Sequence, residues 1–348
     1  MSLPVTNEYS TDGGFLDFAG ERYYVIRNVD KIAPFFISLV SDSDHWLFVS
    51  STGGLTAGRV SPDTALLPYV TVDKIHESSS HSGCKTIIRV TSREGDRQWE
   101  PFNREHDRLY GLSRQLYKNV IGNKLCFEEI NHDLKLRFRY TWAFSDQYGF
   151  VRQCELRNMG DSHVLVDMVD GLQNILPAGT PRFTQTNSSN LVDAYKWAEL
   201  DEQTGLALFT LNSGITDRAE PCESLTANTV FCLGLDATKV LLSSGQLENF
   251  SSGQSLQQEH LKRGIRGAYL VNSKFELGPQ KSQHWQLIAN IEQSQCEVVD
   301  LSHQLLEPGR VASDLSVSID SGSEALVRIM AAADGLQETA EEIVSAPH

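Results

Sequence analysis

Three short stretches hold the residue types from which binding or catalysis could be built. Asp42, Asp44, His45 and Trp46 form the densest polar-aromatic cluster in the chain. Carboxylates beside an indole suit a sugar, because carboxylates accept from hydroxyls while the flat ring covers an apolar face. The plainer alternative is a hairpin turn followed by a core tryptophan. Trp99-Glu100-Pro101-Phe102-Asn103-Arg104 is a second aromatic-carboxylate set with the same two readings. Gln173 and Asn174 sit inside an apolar run that closes at Pro177. A buried amide must find partners, either backbone groups at a bulge or the hydroxyls of a ligand.

Other chemistries lack their signatures. The sequence has no phosphate loop, no dinucleotide-binding glycine pattern, no H-E-x-x-H and no G-x-S-x-G. Gly53, Gly54 and Gly58 are too loosely spaced for a phosphate cradle and read as a turn that needs positive φ. The ten histidines are scattered without metal-ligand spacing, so no metal site is expected. Cys84, Cys126, Cys154, Cys222, Cys232 and Cys296 form no C-x-x-C pair and read as reduced thiols, several of them buried in strands. No catalytic residue and no cofactor is assigned on these grounds. A net charge of −15 makes nucleic acid a poor partner and suits a neutral ligand better than an anionic one. The N-terminus has no secretory pattern and no apolar run approaches the ~20 residues needed to span a bilayer. A cytoplasmic protein is therefore expected, and Asn187-Ser188-Ser189 and Asn249-Phe250-Ser251 are read as chance matches to the glycosylation pattern.

The elements that must position these residues are mostly strands. From Leu134 to Phe144 apolar residues alternate with Lys135, Arg137, Arg139 and Thr141. A period of two over eleven residues is a long strand with one buried face. Ser145-Asp146-Gln147 and Asn158-Met159-Gly160-Asp161 supply turns, so Leu134 to Pro177 reads as a three-stranded meander. Such a meander needs a second sheet over its apolar face. Further strands are expected at Phe15 to Ala19, Arg22 to Arg27, Pro34 to Val40, Trp46 to Ser50, Lys85 to Val90, Arg97 to Phe102 and Leu109 to Val120. Others are expected at Lys124 to Ile130, Leu206 to Leu211, Asn228 to Leu235, Tyr269 to Leu277 and His284 to Ile291. Residues 1–13, 60–80 and 178–225 read as irregular, the last with the Leu206 to Leu211 strand embedded, and residues 243–265 as an exposed excursion. After Ser294 the period changes. Val298, Leu301 and Leu305 share a helical face that Pro308-Gly309 should end. Ser321 to Glu324 has capping-box spacing for a second helix, with Leu326, Met330 and Ala333 on one face and Gly335 after it. The chain is thus expected to be an antiparallel β-supersandwich over residues 1–293 followed by a helical segment over 294–348, one part of a longer polypeptide.

Several features in order resemble the N-terminal region of the cellobiose phosphorylase family (glycoside hydrolase family 94-like glycoside phosphorylases). They are Ser50-Ser51-Thr52-Gly53-Gly54 with Arg59, Leu66 to Tyr69 followed by Asp73, and the Arg97-Gln98-Trp99-Glu100-Pro101 strand end. The meander leading into Val169-Asp170-Gly171-Leu172-Gln173 and the Ala331 to Leu336 segment complete the pattern. After the glycine pair this chain has Leu55-Thr56-Ala57-Gly58-Arg59, where family members are expected to carry a loop rich in glycine and aromatics. The resemblance implies a galactose-mutarotase-like sandwich, then a linker helix. It implies a downstream (α/α)6 barrel, absent from this sequence, that holds the catalytic acid and the inorganic phosphate. It also implies a homodimer. The expected role is a non-catalytic carbohydrate-associated domain, with an oligosaccharide or sugar as ligand. Asp44, His45, Trp46, Arg59, Trp99, Gln173 and Asn174 are its candidate contacts. One alternative is an aldose 1-epimerase, with His163 or His284 as acid and Glu155 or Glu276 as base. Another is a purely structural dimerisation domain.

Overall fold

The computed structural model of the chain describes residues 11–92, 95–215 and 224–333. Cys222, the Arg93-Glu94 pair, and Asp334, Gly335 and Leu336 lie outside these residues. Among the described residues the strands form three sheets, and every pairing is antiparallel. The large sheet runs, edge to edge, Asp12–Phe18, Glu21–Arg27, Leu112–Asn119, Leu125–Asn131, Leu136–Ser145, Gly149–Asn158, Ser282–Ser294, Thr226–Leu233, Leu206–Leu211, Lys196–Asp201 and Leu261–Arg263. A second sheet runs Ala237–Leu241, Gly267–Leu277, Val164–Ile175, Gly83–Ser92 and Gly95–Trp99. A third holds Phe36–Leu39, His45–Ser50, Leu55–Arg59 and Ala65–Leu67. This is the antiparallel β-supersandwich with a helical tail that the alternation predicts.

The alternation explains the layering. Leu136, Phe138, Tyr140, Trp142 and Phe144 are buried while Arg137, Arg139 and Thr141 between them are half-buried. Their apolar face meets Ile88, Val90, Val166 and Met168 of the second sheet and Leu47, Val49 and Leu55 of the third in one continuous core. The third strand of the meander therefore does not stay beside the first two. Val164–Ile175 crosses to the second sheet, between Gly83–Ser92 and Gly267–Leu277.

The tail covers part of the opposite face of the large sheet. Ser294 caps the Gln295–Gln304 helix in a reciprocal capping box with Glu297. The helix Pro308–Ala333 then lays Val311, Leu315 and Ile319 against Ala143, Val151, Phe231 and Ile288. The first helix ends at Gln304, ahead of Pro308, but the second begins at Pro308 rather than at Ser321, which corrects the expected start. Pro308 opens this helix, where its fixed φ and missing N–H are tolerated. Ser321 and Glu324 lie inside it, because the apolar stripe that docks on the sheet continues through Leu326. Four short helices, Val72–Ile75, Arg182–Asn187, Ser189–Tyr195 and Leu247–Ser251, interrupt stretches read as irregular, so helices are not confined to the tail. No described helix is long and apolar enough to cross a membrane.

Candidate functional site

A cavity of about 590 Å3 opens where the three sheets converge. Its floor is Tyr140 and Arg152, which rise from neighbouring strands of the large sheet. Cys84, Lys85 and Thr86, at the start of the Gly83–Ser92 strand, form one wall. Thr52 and Gly53, in the turn between His45–Ser50 and Leu55–Arg59, form another with His76 and Ser80. The stretch from Glu100 to Glu105 closes the rim.

Each wall is pinned by specific bonds. Gly53 takes a φ of 92°, the left-handed turn geometry expected of this glycine pair. Ser50 Oγ lies 2.7 Å from both Thr52 Oγ1 and His76 Nδ1, and Thr52 Oγ1 donates to the His76 carbonyl at 3.0 Å. The rim depends on one buried carboxylate. Glu129 Oε1 accepts from the Trp99 indole at 2.7 Å. Its Oε2 accepts from the Phe102 N–H at 2.8 Å and from Arg114 Nε at 2.5 Å. Phe102 has a φ of 65°, rare for a bulky side chain, and this bond holds it there. Burial pushes the Glu129 carboxyl above its ordinary pKa, with Arg114 pulling the other way. Glu100 is ion-paired to Lys85, and its N–H donates to His106 Nδ1 at 3.1 Å. Burial holds His106 below the usual histidine range.

Beneath the floor lies a polar tie between sheets. Arg152 Nη1 contacts both Asp170 oxygens, at 2.9 and 3.0 Å. Asp170 also accepts from Thr86 Oγ1 at 2.6 Å and Trp285 Nε1 at 2.7 Å. The guanidinium lies 4.6 Å from the Tyr140 ring centroid.

The seven residues singled out from the sequence fall elsewhere. Asp44, His45, Trp46 and Arg59 share one hairpin, with His45 opposite Arg59 and Trp46 opposite Gly58. Strand alternation sends their side chains to opposite faces. His45 is buried against Phe144 and Phe150, whereas Trp46 stacks on Phe48 and meets the edge of Tyr69. Asp44 is exposed. Ser294 bonds, with a smaller contribution from the Arg59 charge, hold Glu297 below the usual carboxylate range. Trp99 is fully buried, with its indole N–H satisfied by Glu129, so it offers no stacking face. Asn174 is left-handed, with a φ of 59°, at a bulge that shifts the register between Gln173 and Ile175. Gln173 is buried and donates to the Ser80 carbonyl at 3.2 Å, bracing a cavity-lining residue. None of the seven is among the residues that line the cavity. Sequence reasoning missed Lys85, Tyr140, Arg152 and Glu129. Arg152 and Glu129, charged residues within apolar strand runs, were the available signal.

The epimerase candidates also lie outside the cavity lining. His163 and Glu276 form a 2.7 Å pair at the surface, both more than half exposed. His284 and Glu155 face each other across two strands of the large sheet. Glu155 is bound by Ser282 and Arg137, which outweigh burial and hold it below its ordinary pKa. Among the described residues no His/Cys/Asp/Glu group could hold a metal ion.

No protein-family model matches the chain, and no curated protein matches it in sequence. Solved structures with a similar chain course include a bacterial glucoamylase complexed with acarbose, at 8% identity and a TM-score of 0.49, covering 84% of this chain and 36% of that one. A candidate kojibiose phosphorylase from the human microbiome is 10% identical, with a TM-score of 0.36, covering 69% and 27%. A candidate aldose 1-epimerase from Escherichia coli K12 is 11% identical, with a TM-score of 0.36, covering 75% and 100%. The chain spans about a third of the glucoamylase and about a quarter of the phosphorylase. At these identities the likeness is one of fold alone.

Proposed function

We propose that this chain is a carbohydrate-binding and assembly module that does not itself catalyse. The observation that carries the proposal is the cavity of about 590 Å3, walled by fixed hydrogen-bonding groups and floored by an aromatic ring. Its size falls within the ~300–1,000 Å3 of small-molecule sites. Lys85 and Glu100 hold each other in place, so a donor and an acceptor stand side by side in the wall. Asn103, Thr52 and Ser80 add short polar groups, and Phe102 and Tyr140 add apolar ring surface. Hydroxyl-matching groups around an apolar patch are what a pyranose requires.

The parent protein proposed is a glycoside phosphorylase or glycosidase of the cellobiose phosphorylase kind. Its catalytic barrel, its inorganic phosphate and a second subunit lie outside this chain. The ordered residue pattern that resembles that family supports this, and the role includes dimer assembly and a contribution to the rim of the parent's active site.

Calorimetric titration of the chain with glucose and cellobiose tests the binding claim. Saturable binding is expected, weakened about tenfold or more by Lys85→Met, which removes a charged donor. The chain alone should neither phosphorolyse nor hydrolyse β-glucosides. Measurable turnover would reject the non-catalytic part, and undiminished affinity in Lys85→Met would reject this cavity as the site.

A further inference from the structure

We infer that the cavity recognises its sugar through His76, which is fixed as the Nδ1–H tautomer so that its Nε2 accepts a hydrogen from one sugar hydroxyl. This rests on the carbohydrate reading above. His76 ends the Val72–Ile75 helix and lines the cavity. The turn between His45–Ser50 and Leu55–Arg59 is docked on this corner. A Cβ on Gly54 would collide with the Ile75 carbonyl, so only glycine lets the turn lie this close. The approach brings Ser50 to the His76 ring and Thr52 to the His76 carbonyl.

The bonds order the protons. A carbonyl oxygen only accepts, so the Thr52 hydroxyl gives its one hydrogen to the His76 carbonyl, at 3.0 Å. Thr52 Oγ1 must then accept in its 2.7 Å contact with Ser50 Oγ, and the Ser50 hydroxyl is the donor. With its hydrogen spent, Ser50 Oγ accepts from His76 Nδ1 at 2.7 Å, as it does from the Thr52 N–H at 3.1 Å. Nδ1 therefore carries the hydrogen, and in the neutral ring Nε2 keeps a lone pair. Ser50 is fully buried, but His76 is only half-buried. Its Nε2 is accessible and has no hydrogen-bond partner among the described residues. Lys85, in another wall, has only hydrogens to give. The two walls thus ask opposite things of a hydroxylated ligand: an oxygen lone pair for Lys85 and a hydroxyl hydrogen for His76.

The test has two parts, both on the full chain. Imidazole nitrogen NMR shifts at alkaline pH, where the ring is neutral, should show His76 Nδ1 protonated and Nε2 bare, and added glucose should move the Nε2 signal. Calorimetric titration then compares glucose with its monodeoxy and monodeoxyfluoro analogues. At one position both replacements should weaken binding about fivefold, because fluorine accepts a hydrogen but has none to give. His76→Asn, whose amide can still donate to Ser50 but lacks Nε2, should weaken glucose about fivefold and erase the penalty at that position. An Nε2–H tautomer overturns the inference, and so does a series in which no position fails with both hydrogen and fluorine. Both results come from unmodified protein, whether or not His76→Asn folds, and both leave the carbohydrate reading intact. A penalty that persists in His76→Asn assigns the hydroxyl to another acceptor and also overturns the inference. Failure of every sugar to bind overturns the carbohydrate reading itself.

Discussion

Arg152 and Asp170 join the large sheet to the second sheet through a doubly hydrogen-bonded ion pair in which both side chains are fully buried. Asp170 is also the acceptor for Trp285 on the large sheet and Thr86 on the second, so one carboxylate gathers three donors from both layers. Such a pair is costly to desolvate, and its value shows when one partner is lost. Asp170→Ala should destabilise the fold by about 3–5 kcal/mol, since it leaves a guanidinium and an indole N–H buried without their acceptor. The double variant Arg152→Met with Asp170→Leu should recover much of that loss. Urea unfolding of the three proteins measures it, and a cost below about 1 kcal/mol for Asp170→Ala would show that the pair is not a tie.

Glu129 acts at a distance on the same cavity. It holds Trp99, Phe102 and Arg114 at once, and through Phe102 it sets the corner that presents Glu100 and Asn103 to the rim. Glu129→Ala should cost about 2–4 kcal/mol, from a buried indole and a strained backbone left without their acceptor and from Arg114 left with only Asp107 and the Asn103 carbonyl. It should also weaken sugar binding, although Glu129 is not in the cavity lining. Thermal melting and titration of one preparation test both effects. Weakened stability with unchanged affinity would mean that the corner does not shape the site.

His45 makes stability depend on pH. Burial, then the nearby Arg59 charge, push its pKa down to about 4, against about 6.5 in an unfolded chain. Between these values the unfolded state binds a proton that the folded state refuses, so stability present above about pH 6.5 falls as the pH drops toward 4. The loss at the acid end is on the order of 3 kcal/mol. Urea midpoints measured from about pH 7 to about pH 4.5 should fall, and His45→Phe should flatten that slope. An unchanged slope in His45→Phe would assign the acid sensitivity to other groups.

Much of the fold was legible because strand alternation is a local signal. Leu136 to Phe144 declares its buried face within eleven residues, and the partner sheet follows from the need to cover it. Helix boundaries in the tail were less legible. Spacing alone gave Ser321 and Glu324 a cap, but docking of Leu315 and Ile319 on the sheet carries the helix through them. The site was the hardest to read. Lys85, Glu100, Tyr140 and Arg152 come from four separate segments, so no motif joins them in the sequence. The tryptophans that drew attention as stacking platforms behave differently. Trp99 is spent on the core, and Trp46 packs among Phe48, Gly58 and Tyr69. What betrayed the interior polar groups was a charge inside an apolar strand run, as at Glu129, Arg152 and Asp170.

The docked tail offers a last measurement. Leu315 is fully buried in a cluster with Val311 and Ile319 of its own helix and Val151, Phe231 and Ile288 of the large sheet. Two side-chain bonds fasten the same helix further along, Ser318 to Ser145 at 2.7 Å and Ser323 to Asn123 at 2.9 Å. Gly322 lies against the Asp42 carboxylate, which would be 2.8 Å from an added Cβ, so a larger residue there must displace that side chain. Leu315→Ala should cost about 2–4 kcal/mol if the helix unfolds together with the sandwich. Gly322→Val should displace the Asp42 side chain from the helix while leaving Leu315 in place. Hydrogen exchange distinguishes the outcomes. Uniform loss of protection in Leu315→Ala would make the tail part of the sandwich's cooperative unit, whereas loss confined to Pro308–Ala333 would make it a separately detachable element.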